Sequence, residues 1–110
     1  MYTILSRISG GAVVSGSWTS GSHRTVTALM RERLASEPDV PYLDVGGESL
    51  SARDVATRAF AVAAGLRDMG VQPGDRVASL QENSPEALVT WWGTLFAGAV
   101  AVPVNTAYKG

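Results

Sequence analysis

Between residues 70 and 105 the chain alternates short apolar runs with polar turns, in an order that prescribes a folding unit. Gly70-Val71-Gln72-Pro73-Gly74-Asp75 is a turn, Arg76 to Leu80 an apolar strand, and Asn83-Ser84-Pro85-Glu86 a helix start. A helix follows, and then Ala99-Val100-Ala101-Val102-Pro103-Val104 as a second strand. Two apolar strands joined by a crossover helix make a βαβ unit, the element from which parallel sheets are built. The continuous apolar run of the second strand predicts burial on both faces, and Pro103, which lacks a donor, belongs at a strand end or an edge. Gln72-Pro73-Gly74-Asp75 fits a type II turn, with proline and glycine at the central positions. At the helix start Ser84 caps, Pro85 takes the first helical position and Glu86 complements the positive end of the dipole.

Upstream, the spacing of Val26, Leu29, Met30 and Leu34 predicts a helix over residues 25–36, capped by Thr25 and ended by Pro38. Arg31, Glu32 and Arg33 fall mainly on its solvated side. Pro41 to Val45 and Glu48 to Leu50, separated by Gly46-Gly47, read as a hairpin whose two-residue turn needs positive φ angles. A long helix then starts at Ser51, with Asp54 completing an aspartate form of the capping box and pairing with Arg58 at i,i+4. Ala52, Val55, Ala56, Ala59, Val62, Ala63 and Leu66 form its buried stripe, rich enough in alanine to predict close helix packing, and Gly70 stops it in the left-handed conformation. The helix after Pro85 carries Leu88, Val89, Trp91, Trp92, Leu95 and Phe96, apolar over more than one face, which predicts burial on two sides.

Residues 1–23 contain six serines and four glycines and read as a flexible leader, with one short strand around Ala12 to Val14. Ile4-Leu5 and Ala12-Val14 are too interrupted for a signal-peptide core, and no apolar run reaches the ~20 residues of a membrane span. The 110-residue chain is 45% hydrophobic and 17% charged, as a globular chain is. Its net charge of −1 provides no electrostatic footprint for nucleic acid. Cysteine is absent, which removes disulfides and thiolate chemistry and is compatible with a cytoplasmic setting.

Candidate chemistry is sparse. His23, the one histidine, stands in the Gly/Ser-rich leader and reads as a surface residue. Thr19-Ser20-Gly21-Ser22 has the composition of a phosphate loop but lacks the following Gly-Lys-Ser/Thr and the flanking strand and helix. Asp75 and Arg76, adjacent at a strand start, read as residues that satisfy backbone groups or solvent. Trp91-Trp92 reads as core or interdomain packing ahead of an aromatic ligand platform.

Four motifs in order resemble the start of the large N-terminal domain of the adenylate-forming (AMP-binding) superfamily of acyl-CoA synthetases, luciferases and peptide-synthetase adenylation domains. Leu50 to Val55 is similar to its first core motif, with Ala52 where tyrosine is usual. Gly65 to Val77 is similar to its helix-turn-strand signature. Asn83 to Glu86 resembles the next helix start, and Phe96 to Asn105 the second core motif. Asn105 to Gly110 resembles acyl-CoA ligases more than adenylation domains, where aspartate is common at the Asn105 position. This leans toward fatty acyl, carnitine-type or aromatic-acid CoA ligases.

The resemblance implies an α/β fold comprising the first part of that large domain over residues 24–110, with an N-terminal helix, a β-hairpin and a βαβ unit of parallel sheet. It implies, for the intact enzymes, attack of a carboxylate on Mg-ATP to give an acyl-adenylate, then displacement of AMP by CoA thiol. The family's phosphate loop, magnesium carboxylate, ribose aspartate and adenylation lysine lie downstream of the four motifs, and Lys109 is misplaced for the last. No catalytic, cofactor-binding or metal residue is therefore assigned, ATP, Mg²⁺ and CoA are expected only for the intact enzyme, and the rest of the domain is expected to cover the apolar helix 85–97. The competing expectation is a small non-enzymatic α/β module that binds a protein through Trp91 and Trp92.

Overall fold

The computed structural model describes the backbone of residues 2–6 and the chain from 25 to 107. The elements run β1 (Tyr2–Ser6), α1 (Val26–Ser36), β2 (Pro41–Val45), β3 (Glu48–Ser51), α2 (Ala52–Asp68), β4 (Arg76–Leu80), α3 (Pro85–Phe96) and β5 (Val100–Val104). β4 is central in a three-stranded sheet, with β5 parallel on one side and β1 antiparallel on the other. β2 and β3 form a separate antiparallel hairpin. β1 lies within the stretch that composition assigned to the leader; its pairing to β4, from Tyr2 opposite Leu80 to Ser6 opposite Arg76, is a tertiary event that five leader residues do not announce. The strand expected around Ala12 to Val14 falls outside the described residues.

Local signals set the element ends. Gly46 and Gly47 take φ of 63° and 80°, the pair of positive angles that lets a two-residue turn follow the twist of its strands. The capping box of α2 closes in both directions: Ser51 Oγ accepts from the Asp54 N–H, and Asp54 Oδ2 accepts from the Ser51 N–H. α2 and α3 end in the same way. Val71 N–H reaches Leu66 C=O and Gly70 N–H reaches Arg67 C=O; Ala99 N–H reaches Thr94 C=O and Gly98 N–H reaches Leu95 C=O. Each is a Schellman motif with glycine in the left-handed position. The turns that follow dock on one another, because Gly74 N–H donates to the Gly98 carbonyl at 2.9 Å.

The core has two connected parts. Met30, Leu50, Ala52, Val55, Ala59 and Trp92 form one; Ala63, Leu66, Val71, Val77, Ala97 and Ala99 form the other; Phe96 packs against both. The alanine stripe of α2 brings α3 close enough that Gly93 is seated over Ala59 and Val62. Thr90 and Thr94 are buried in α3, and the Thr94 hydroxyl donates to the Thr90 carbonyl one turn back at 2.9 Å.

Three expectations are corrected and one is refined. In α1 only Met30 is buried, while Val26 and Leu29 are 41% and 43% exposed, because α1 touches α2 and α3 along a narrow line. Arg58 keeps its favourable charge interaction with Asp54, as expected, but its hydrogen bond goes to Glu48 Oε1 at 2.9 Å, across to the hairpin. Val62 is half-buried rather than core. β5 is not buried on both faces: Val100, Val102 and Val104 are all exposed.

The sheet explains this last difference. Val77, Ser79, Ala101 and Pro103 share the face that α3 covers, and Ala78, Leu80, Val100, Val102 and Val104 share the other. The Val100 N–H donates to the Asp75 carbonyl, which fixes the phase of the strand. Val100, Val102 and Val104 thus bond toward β4, and Ala101 and Pro103 turn their backbone to the edge that no strand among the described residues pairs. Pro103 takes an edge position without breaking the ladder, as expected.

Candidate functional site

In open α/β sheets ligands are received beyond the carboxyl ends of the strands. Here β4 and β5 both finish beside the start of α3, and a cleft of about 530 Å³ opens there. Ser79 comes from β4, Gln81 and Asn83 from the loop after it, Ser84 from the cap of α3 and Trp91 from α3 itself, Pro103 and Val104 from β5, and Val45 from the hairpin. A second recess of about 540 Å³ adjoins it, sharing Gln81, Asn83, Pro103 and Val104 and adding Glu82, Asn105 and Thr106.

The polar groups are mostly committed locally. Ser84 Oγ accepts from the Ala87 N–H at 3.1 Å as the cap of α3, and Asn105 Oδ1 accepts from the Ala107 N–H at 2.9 Å in an Asx turn. Gln81 differs: its Oε1 is sealed from solvent and accepts no hydrogen bond among the described residues. A buried acceptor without a donor is unfavourable by about 1–3 kcal/mol, which marks this carbonyl as the chemically unfinished point of the cleft.

The lining, with Ala87, Leu88, Trp91, Pro103 and Val104, fits an apolar group. Among the described residues neither recess brings a Lys, Arg or His to a nucleotide phosphate, and one contains Glu82. Nor do the described residues bring three or more His, Asp or Glu together as metal ligands, so no step through ATP or magnesium is derived from them.

Asp75 Oδ2 accepts from the Gln72 N–H at 2.8 Å and locks the turn, the backbone role expected of it. Trp92 is 5% exposed and touches Trp91, Tyr42 and Phe96 at ring-centroid distances of 5.2, 6.5 and 5.8 Å, so it is core and not a ligand platform. Trp91 is half-buried and forms one wall of the cleft. Thr19 to Ser22, His23 and Lys109 lie outside the described residues. Gln81 carries no sequence signal of its own; its place after a strand and before a crossover helix was the available one. No helix among the described residues is long and apolar enough to cross a membrane.

Comparison with known proteins supplies the family. The family model described as AMP-binding enzyme matches residues 30–110. A long-chain-fatty-acid CoA ligase of Bacillus subtilis is 34% identical over 86 residues, which are 78% of this chain and 15% of that protein. A Rhodopseudomonas palustris structure described as that of a long-chain-fatty-acid CoA ligase superposes with a TM-score of 0.73 at 35% identity, over 78% of this chain and 22% of that one. The N-terminal subdomain of Klebsiella oxytoca NpsA superposes with a TM-score of 0.69 at 28% identity, over 76% of this chain and 22% of that one. The chain therefore spans about a seventh of the length of the Bacillus ligase it matches. With four ordered motifs, the sheet and the helix pair all in agreement, the chain belongs to the AMP-binding, adenylate-forming enzyme family and corresponds to the N-terminal part of its large domain.

Proposed function

We propose that this chain provides the N-terminal part of a cytoplasmic, ATP-dependent acyl-CoA ligase of fatty or aromatic acids and is catalytically silent alone. What supports the reading is the family match across residues 30–110. In the assembled enzyme, ATP, Mg²⁺ and CoA are held by the rest of the domain, which also covers the half-buried surface of α3 at Leu88, Trp91 and Leu95. The alternative, a partner-binding module working through Trp91 and Trp92, is not favoured by the burial of Trp92.

The test incubates the chain with ATP, Mg²⁺, CoA and a panel of carboxylic acids. No AMP above an enzyme-free control is expected from the chain alone. AMP release is expected once the downstream portion of a related acyl-CoA ligase is supplied as a separate polypeptide. Release by the chain alone would overturn the silence, and failure of every such pairing would overturn the assembly.

A further inference from the structure

A separate concavity, of about 450 Å³, lies between α1, α2 and α3 beside Pro73 and Gly98, at the end of the parallel pair where β4 and β5 begin. It is thus at the opposite end of the sheet from the cleft. Its floor is aromatic: Phe60, 53% exposed, stacks on Phe96 with centroids 4.6 Å apart and planes 22° from parallel. Its walls carry Arg31 from α1 and Arg67 from α2, and among the described residues the lining includes no aspartate or glutamate. Arg67 Nη2 donates to the Phe96 carbonyl at 3.1 Å, which holds the guanidinium beside the ring pair. Arg31 is exposed and has no partner among the described residues.

The chain as a whole has a net charge of −1, yet here two cations flank an open aromatic face without a neutralising carboxylate. A guanidinium presents parallel N–H donors that match a carboxylate, and a phenyl face favours an offset ring. The volume falls in the range of small-molecule sites. We propose that this groove binds aryl carboxylates, with the ring on Phe60 and the carboxylate between Arg31 and Arg67. The site goes beyond the ligase reading: binding requires no ATP, and its failure would leave that reading untouched.

The test is an NMR titration of the ¹⁵N-labelled 110-residue chain with benzoate, with benzamide (ring without charge) and with inorganic phosphate (charge without ring). Saturable benzoate shifts in the millimolar range are expected at the amides of Thr27, Phe60 and Gly98, with both comparators at least about fivefold weaker. Arg31→Gln, at an exposed position with no internal bond, is expected to weaken benzoate about fivefold without moving the melting temperature. Arg67→Lys, which keeps charge but loses the fork, is expected to weaken it as well. Absence of saturation, parity of benzamide or phosphate with benzoate, indifference to Arg31→Gln, or shifts confined to Gln81, Asn83 and Trp91 would each overturn the site.

Discussion

Gly93 is pressed against Val62: a β-carbon built on Gly93 would lie 2.6 Å from Val62 Cβ and 2.8 Å from the Ala59 carbonyl oxygen. Nothing at that distance is a flexible side-chain end, so the two helices must part to admit a methyl group. Gly93→Ala is therefore expected to destabilise the chain by about 1–3 kcal/mol despite alanine's better helix propensity. Val62→Ala removes Cγ1 but keeps the β-carbon and the Ala59 carbonyl, so the double variant should recover only part of the loss. Denaturant midpoints of the three variants check this.

The two adjacent tryptophans should separate sharply. Trp92 is core and Trp91 is half-buried, so Trp92→Ala is expected to lose about 3–5 kcal/mol and Trp91→Ala clearly less. Equal losses in urea unfolding would contradict the placement of the rings.

Two aspartates set an acid limb. Hydrogen bonds from the Ser51 side chain and backbone hold the Asp54 carboxyl below the ordinary aspartate value of 3.8, and the Arg53 guanidinium, bonded at 2.7 Å, does the same for Asp39. A depressed folded-state pKa contributes stability that is fully present above the ordinary value and is lost as pH falls through the depressed one. The unfolding midpoint is thus expected to drop below about pH 4, and Asp39→Asn with Asp54→Asn should flatten that drop. Ser51→Ala, which also removes the cap, should lose about 1 kcal/mol at neutral pH.

The bare sheet face distinguishes folding from assembly. Val102 is 38% exposed on the face opposite α3, so Val102→Thr should change the stability of the chain by no more than about 0.5 kcal/mol. If the rest of the ligase covers this face, Val102→Asp should abolish AMP release by the paired polypeptides. Thermal melting of the chain and the two-polypeptide assay read the two effects separately.

What could be read from sequence was whatever a few neighbouring residues decide. Ser51 with Asp54, Ser84 with Pro85, and Gly70 and Gly98 each fix a helix end through bonds spanning three to five residues, and the structure makes them as expected. Two glycines sufficed for the hairpin. What could not be read depends on partners distant in the chain. Arg58 had Asp54 one turn away but bonds Glu48 on the hairpin; β1 is a strand only because β4 offers it an edge; Val26 and Leu29 have helical spacing but stay more than 40% exposed. The apolar run of β5 was legible, and its lack of cover was not. For the candidate cleft, family and location were legible, but the isolated Gln81 carbonyl emerges only when the surrounding side chains are in place.

Pro103 has a consequence for how copies of the chain behave together. A valine-rich strand on an open sheet edge is the usual template for runaway strand addition. Antiparallel pairing of two such edges needs each outward residue to give and accept a hydrogen bond. Of the two outward residues within β5, Ala101 can do both and Pro103 can only accept. The edge is therefore a poor template for its own copy: one imino acid makes this valine-rich strand self-limiting.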